Sequence, residues 1–301
     1  MDITQQYLGH QNVKNAVIAV PAKFNEKQRA ATRKAFQNAG VTVTRVLEEP
    51  VAAALAYGLQ KKSNVDFIMV YDFGGGTLDV SILQVSEGGY VEVMGSDGDN
   101  QLGGADFDAA IAHFLLDHND GRGVIERVAD ALHSVRRTLQ IEEDDLEQML
   151  ETDCAILQSL PLCSLSSYHT IGEQMKIELS SLSTKDEIVV GKCLSISHDV
   201  AMPETIFDFC SKLQPMNLQL SLGQFETTCN PLFQRAMHPI KRILADMNVE
   251  TDEIDEVVMV GGTTRMPQIR EMIKKELNIK ELNTHIDPDL TVAYGAASVN
   301  D

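Results

Sequence analysis

"VYDFGGGTLDVSIL", residues 70–83, sets three glycines between an apolar run and an alternating one, with Asp72 before the turn and Thr77 and Asp79 after it. A P-loop needs G-x-x-x-x-G-K-S/T entering a helix, and here a run of strand character follows, so the glycines form the tip of a hairpin. The period of two along a strand puts Thr77 and Asp79 on one face and Leu78 and Val80 on the other. Gly74, Gly75 and Gly76 let backbone amides approach a phosphate that side chains would keep away. Asp72, at the end of a buried strand and facing Thr77 and Asp79 across the loop, suits holding water around Mg²⁺ and the attacking water of phosphoryl transfer. The plainer alternative is that Asp72 and Asp79 satisfy turn amides.

Upstream, "NAVIAVP" (15–21) reads as a strand stopped by proline, and "NEKQRAATRKAFQNAG" as a helix with Asn25 as N-cap, Gln28 completing a capping box and Gly40 at its end. "VTVTRVLEEP" alternates and leads through Pro50 into the short helix "VAAALAYGL", giving β-α-β-α. Downstream, "GGADFDAAIAHFLL" starts a helix after Gly103 and Gly104. Residues 119–170, with the acidic "EEDDLE" and the Ser/Leu-rich "LQSLPLCSLSSYHT", read as an irregular insertion holding a helix near "IERVADALHSVRRTLQ". The acidic run is a solvated face rather than a calcium loop, whose glycine and ligand spacing is absent. "GEQMKIELSS" is expected as helix, "DEIVVGKCLSISH" as a strand pair, and 225–247 as a helical stretch interrupted by Pro231 and Pro239. "VVMVGGTTRMP" puts Gly261 and Gly262 after an apolar strand with Thr263 at the start of a helix, where N–H groups and the dipole favour an anion. Arg265 could stack on a purine there or stand solvated. A closing helix is entered through Pro288.

The 301 residues are 44% hydrophobic and 23% charged, ordinary for a globular chain of two core-forming units. A formal net charge of -19 argues against a nucleic-acid surface, which needs a basic footprint. The five cysteines are irregularly spaced and read as reduced thiols, fitting neither a zinc pattern nor a secreted scaffold. Eight histidines show no H-x-x-x-H or H-E-x-x-H spacing. No run has the length of a membrane span, and the opening lacks the regions of a signal peptide.

Six motifs in order, "NAVIAVPAKFN", "EEPVAAALAYGL", "YDFGGGTLDVSIL", "GDNQLGGADFD", "VVMVGGTTRMP" and "DPDLTVAYGAA", resemble the ATPase core of the heat-shock protein 70 chaperones, with a weaker resemblance to the microsomal branch that is an ATPase core alone. The resemblance implies an α/β, actin-like (ribonuclease H-like) fold of two lobes around a nucleotide cleft, holding ATP or ADP with Mg²⁺. It implies that Asp72 and Asp79 hold the metal through water, with Glu49 and Thr77 beside them in the catalytic group. Gly74, Gly75, Gly76, Gly103 and Gly104 would contact phosphates. Glu173, Lys176, Ser180, Gly261, Gly262, Thr263, Arg265 and Asp289 would line the adenosine side, and Pro21 and Arg29 would relay nucleotide state. J-domain co-chaperones, nucleotide-exchange factors and unfolded clients are the implied partners.

By the same resemblance residues 1–62 belong to a partial first lobe, 63–101 and 222–301 to the base of the second, and 102–221 to its upper part. The family's first phosphate hairpin and catalytic lysine would precede residue 1, so an incomplete first lobe and weak or absent hydrolysis are expected. The sequence departs from the family at Ile177, where an adenine-stacking Arg is usual, at Ala105, usually acidic, and at Lys23, usually aromatic. Two other readings stand beside the chaperone: a non-hydrolysing nucleotide sensor or scaffold, and an actin-fold kinase or filament protein. The expected compartment is the cytoplasm, with the endoplasmic reticulum lumen as the alternative.

Overall fold

The structure, a computed structural model, describes Gln6, Gly9 and residues 14–118 and 120–300. The opening "ITQQYLG", read as the end of a mid-lobe helix, lies outside the described residues except for Gln6 and Gly9. The chain divides into two compact units, Met1–Gly104 with Phe233–Asp301, and Ala105–Leu232.

In the first unit, β1 (Asn15–Val20) and β2 (Thr42–Glu48) pair in parallel, joined through helix α1 (Glu26–Asn38). Both halves of the expected capping box are made: Gln28 N–H donates to Asn25 Oδ1 at 3.0 Å, and Asn25 N–H to Gln28 Oε1 at 2.9 Å. Helix α2 (Glu49–Ala56) follows β2 at once with Pro50 in its first turn, where a missing N–H costs nothing. A second sheet has the order β5-β4-β3-β8. Its strands β3 (Phe67–Phe73), β4 (Leu78–Ser86) and β5 (Tyr90–Asp99) form an antiparallel meander, and β8 (Glu256–Val260) joins β3 in parallel. Ile68, Val70, Leu83, Val258 and Val260 are buried with Ala53 and Ala54 of α2. The unit ends with α9 (Pro267–Leu277) and α10 (Thr291–Ala297), whose Gly295 is so close to α2 that a Cβ would overlap the Ala52 carbonyl.

The second unit carries most of α3 (Gly104–His118), then α4 (Gly121–Leu139), α5 (Glu143–Asp153), α6 (Leu165–Leu179) and α7 (Ile206–Lys212), with a two-stranded ribbon of β6 (Ile188–Ile196) and β7 (Leu213–Ser221). Helix α8 (Leu222–Met247) spans the division between the units.

Four expectations are corrected. The helix expected near 125–140 is α4, where Val124, Val128, Ala131 and Val135 recur at spacings of three and four and are buried, but the rest of 120–170 is mostly helix too and not irregular: Glu143, Asp144 and Asp145 fill the first turn of α5, where the helix dipole favours negative charge. "DEIVVGKCLSISH" supplies one strand, whose partner β7 lies beyond α7. Helix α8 runs through Pro231 and Pro239 without interruption, because Phe225, Cys229, Phe233, Ala236, Ile240 and Ile243 form one buried stripe along it, outweighing the lost backbone bonds. The thiols are not all reduced: Cys154–Cys210 and Cys163–Cys193 are disulfides within the second unit, while buried Cys229 is free and its thiol is pushed up to about 12 by burial. Among the described residues no helix is long and apolar enough to cross a membrane.

Candidate functional site

The hairpin of β3 and β4 is closed by the Gly74 N–H donating to the Thr77 carbonyl at 3.0 Å. Its register sets Asp72 directly opposite Asp79, a like-charge pair that costs sheet stability. Glu49, at the start of α2, completes an acid group around a cavity of about 20 Å³ also lined by Pro21, Ala22, Ser81 and Ser96. That volume suits about one water molecule. Burial first, then Glu49 and Asp79, pushes the Asp72 carboxyl up to about 7. Burial, then Asp79, likewise raises Glu49.

The turn-amide alternative for these acids fails. Among the described residues nothing donates a hydrogen bond to the Asp72 carboxyl, and Asp79 accepts only from Lys23 Nζ, at 3.3 Å. Lys23 departs from the family pattern, and its place beside Asp79 is not legible in the sequence because 56 residues separate the two. No three His, Cys, Asp or Glu side chains among the described residues close into a group that could hold a metal directly. A Mg²⁺ here would keep much of its water shell, as this ion prefers.

Two further glycine turns brace the hairpin tip. Gly104 N–H donates to the Gly74 carbonyl at 3.1 Å, and Gly103 lies so close that a Cβ would overlap Gly75 and Gly76 backbone atoms. Thr263 Oγ1 donates to the same Gly74 carbonyl at 2.8 Å. Gly261 has φ +82°, and a Cβ there would overlap the Phe73 carbonyl, so both conformation and packing demand glycine. Gly75 and Gly76 differ: neither has a left-handed φ, and nothing lies within 4 Å of where their Cβ would be. Their bare backbone, with exposed Thr77, opens to space.

Beyond the tip, Gly262 approaches Asp289, whose Oδ1 would lie 3.1 Å from a Cβ on it. Arg265 Nη2 pairs with Asp287 Oδ1 at 2.6 Å and Asp289 Oδ2 at 3.0 Å, so its guanidinium is held rather than free in solvent. On the other side, Arg29 donates to the Ala22 and Phe24 carbonyls and pairs with Glu48 at 2.7 Å, fastening the segment that carries Pro21 and Lys23 next to Glu49.

The first unit thus gathers Pro21, Arg29, Glu49, Asp72, Gly74–Gly76, Thr77, Asp79, Gly103, Gly104, Gly261–Thr263, Arg265 and Asp289. Glu173, Lys176 and Ser180 belong to the second unit, on one face of α6. Glu173 is exposed, Ser180 Oγ donates to the Lys176 carbonyl at 2.8 Å, and Lys176 Nζ pairs with Asp108 at 2.7 Å. Burial outweighs that pairing and raises the Asp108 carboxyl. Sequence reasoning missed Asp108 as the partner. It also missed the pairs Arg235–Asp99 and Arg242–Asp97, each at 2.6 Å, which anchor the end of β5 that leads to Gly103.

These features define an α/β protein whose three glycine turns converge beside a desolvated acid group. The chain belongs to the Hsp70 family: the Hsp70 protein family model matches residues 1–156 and 166–301. That membership carries the actin-like ATPase fold with it. The chain is 38% identical to a "Chaperone protein dnaK" of Guillardia theta over 299 residues, covering 99% of this chain and 40% of the relative. It is 36% identical to "Chaperone protein DnaK 1" of Synechococcus sp. (97% of this chain, 32% of the relative) and 38% identical to "Chaperone protein DnaK" of Prochlorococcus marinus (97% and 38%). The chain therefore spans about a third to two fifths of the length of these curated relatives.

Proposed function

We propose that this chain is the nucleotide-binding part of an Hsp70 chaperone, taking ADP or ATP with Mg²⁺ between two lobes divided as the sequence suggests. The carrying observation is the open backbone at Gly75 and Gly76 beside Asp72: neither packing nor φ requires glycine there, so what glycine provides is room for a ligand. Gly104, Gly261 and Thr263 hold Gly74 in place and Gly103 packs on Gly75 and Gly76, which preorganises the amides that would face a phosphate. Asp72 and Asp79, with Glu49, would hold the water shell of Mg²⁺, and the ion would supply charge neutralisation for the phosphates. Gly262, Arg265 and Asp289 would serve the adenosine in the first unit; Glu173, Lys176 and Ser180, proposed for the same role by the family resemblance, belong to the second.

Pro21 and Arg29 would transmit nucleotide state, since Arg29 ties the Ala22–Phe24 segment to the residue before Glu49. Hydrolysis coupled to unfolded clients, with J-domain co-chaperones and nucleotide-exchange factors as partners, is proposed with it. The two disulfides support an oxidising compartment, and with it the endoplasmic reticulum lumen over the cytoplasm.

The test is calorimetry of Mg-ADP with Gly76→Ala. The protein has room for the methyl, so the melting temperature should stay unchanged while ADP affinity falls about tenfold, equivalent to ~1.4 kcal/mol. Unchanged affinity would remove the phosphate from this loop.

A further inference from the structure

The second unit carries an open, mainly apolar cavity of about 860 Å³ that shares no residue with the glycine turns or the acid group. Leu132 of α4, Leu157, Leu160 and Leu162 of the segment after α5, and Ile171 of α6 line it, and one wall is Val190, Gly191 and Lys192 of β6. The backbone of that wall is unpaired on its outer edge. β6 bonds β7 along one side only. On the other side Leu194 donates its N–H to the Pro161 carbonyl at 2.8 Å and accepts from Cys163 N–H at 2.9 Å, a single parallel bridge centred on Leu162. Amide directions alternate along a strand, so Val190 and Lys192 point their N–H and C=O groups to the same edge as Leu194. Among the described residues nothing bonds them there. The chain that would continue the bridge alongside them turns away into the 3₁₀ turn Ala155–Gln158.

We propose that the open edge of β6 at Val190–Lys192, with this cavity, binds a short extended peptide segment of mainly apolar side chains as an added strand. Unpaired donors and acceptors at strand spacing select a peptide main chain, and the leucine-lined wall selects its alternate side chains. Ile188–Lys192 present about 16 Å of edge at strand rise, room for about five residues. Charge points the same way. In a chain with 44 acidic residues none of those described lines the cavity, and Lys192 is its single charged group among the described residues, so an apolar segment enters without stripping water from a carboxylate. The Cys163–Cys193 disulfide ties the existing bridge to β6 beside the opening, which fixes the slot before anything enters it. The inference stands apart from nucleotide binding by the first unit.

The whole chain would be titrated with acetyl-Ser-Leu-Thr-Val-Thr-Leu-Ser-amide and with the same peptide N-methylated at alternate residues, following amide hydrogen exchange along β6. The unmodified peptide should slow exchange at Val190 and Lys192 at least about tenfold, and the peptide methylated on its pairing edge should not. Val190→Pro removes an outward N–H and no bond to β7, and should weaken binding about tenfold. Leu160→Glu puts a carboxylate in the lining and should do the same, so the test survives if the proline variant fails to fold. Equal binding by the methylated peptide would show an apolar pocket without strand addition and overturn the proposal. So would protection elsewhere, or no binding at about 1 mM peptide, where the free energy is ~4 kcal/mol.

Discussion

Asp72→Asn should make the ligand-free protein more stable while destroying its response to Mg²⁺ and nucleotide. The Asp72 carboxyl is raised from 3.8 to about 7, so between those values the folded chain holds a proton that the unfolded chain has lost. Stability attached to that proton is fully present below pH 3.8 and is lost as pH rises through 7. At 1.36 kcal/mol per tenfold change in proton affinity, the cost of ionising Asp72 at pH 8 reaches about 4 kcal/mol. Coupling to Glu49 and Asp79 and partial access to solvent lower this to about 2–4 kcal/mol. An uncharged amide of the same shape escapes it. Thermal and urea unfolding of parent and variant at pH 3.5 and pH 8 should show near equality at the lower pH and a gain of several degrees for the variant at the higher. Adding Mg-ADP at pH 8 should then raise the melting temperature of the parent only. A variant less stable than the parent at both pH values would mean that Asp72 is ionised and satisfied in the resting fold, and the acid group would lose its meaning as a cation site.

Three further outcomes are expected. Cys163→Ser with Cys193→Ser opens a loop of 30 residues and should cost about 3–4 kcal/mol by chain entropy, read as a lowered urea midpoint and absent if reductant leaves the parent's midpoint unchanged. Arg265→Ala removes a cation that can lie over a purine and should cost about 0.5–2 kcal/mol in ADP affinity by calorimetry. Because Arg265 already bridges Asp287 and Asp289, the variant should also loosen that loop, seen as faster amide exchange at Asp289.

Local chemistry was legible in the sequence, and distant pairing was not. The hairpin at 70–83, the capping box of Asn25 and Gln28, and the strand–turn–helix at 256–277 each depend on residues a few positions apart, where period and turn preference act directly. The helix near 125–140 was legible and is α4, and the acidic run is the solvated face expected of it; what hid the order of the rest of 120–170 is that this run also forms the first turn of α5, with only Leu146 and Leu150 buried behind it. Which cysteine meets which, which strand joins β6, and which carboxylate receives Lys176 or Arg265 depend on packing across tens of residues. No spacing rule reaches that far.

The site also separates two kinds of glycine that look alike in sequence. Gly103 and Gly261 are demanded by the fold, since a methyl at either would collide with the backbone of the hairpin tip. Gly75 and Gly76 stand open, and the carboxyls that flank the hairpin tip, Asp72 and Asp79, sit opposite one another, partly desolvated, with Lys23 the one cation on Asp79 among the described residues. A hairpin built for stability alone would put neutral or oppositely charged partners at 72 and 79, and would spend no backbone freedom on open glycines. The combination raises the free energy of the ligand-free state at the place where a phosphate and a hydrated divalent ion would lower it. Binding there would be strengthened by relief of the repulsion between Asp72, Asp79 and Glu49. The apparent Mg²⁺ affinity in the presence of ADP should therefore rise with pH up to about 7 and level off above it, as Asp72 gives up its proton. A flat profile between pH 5 and pH 8 would place the ion elsewhere.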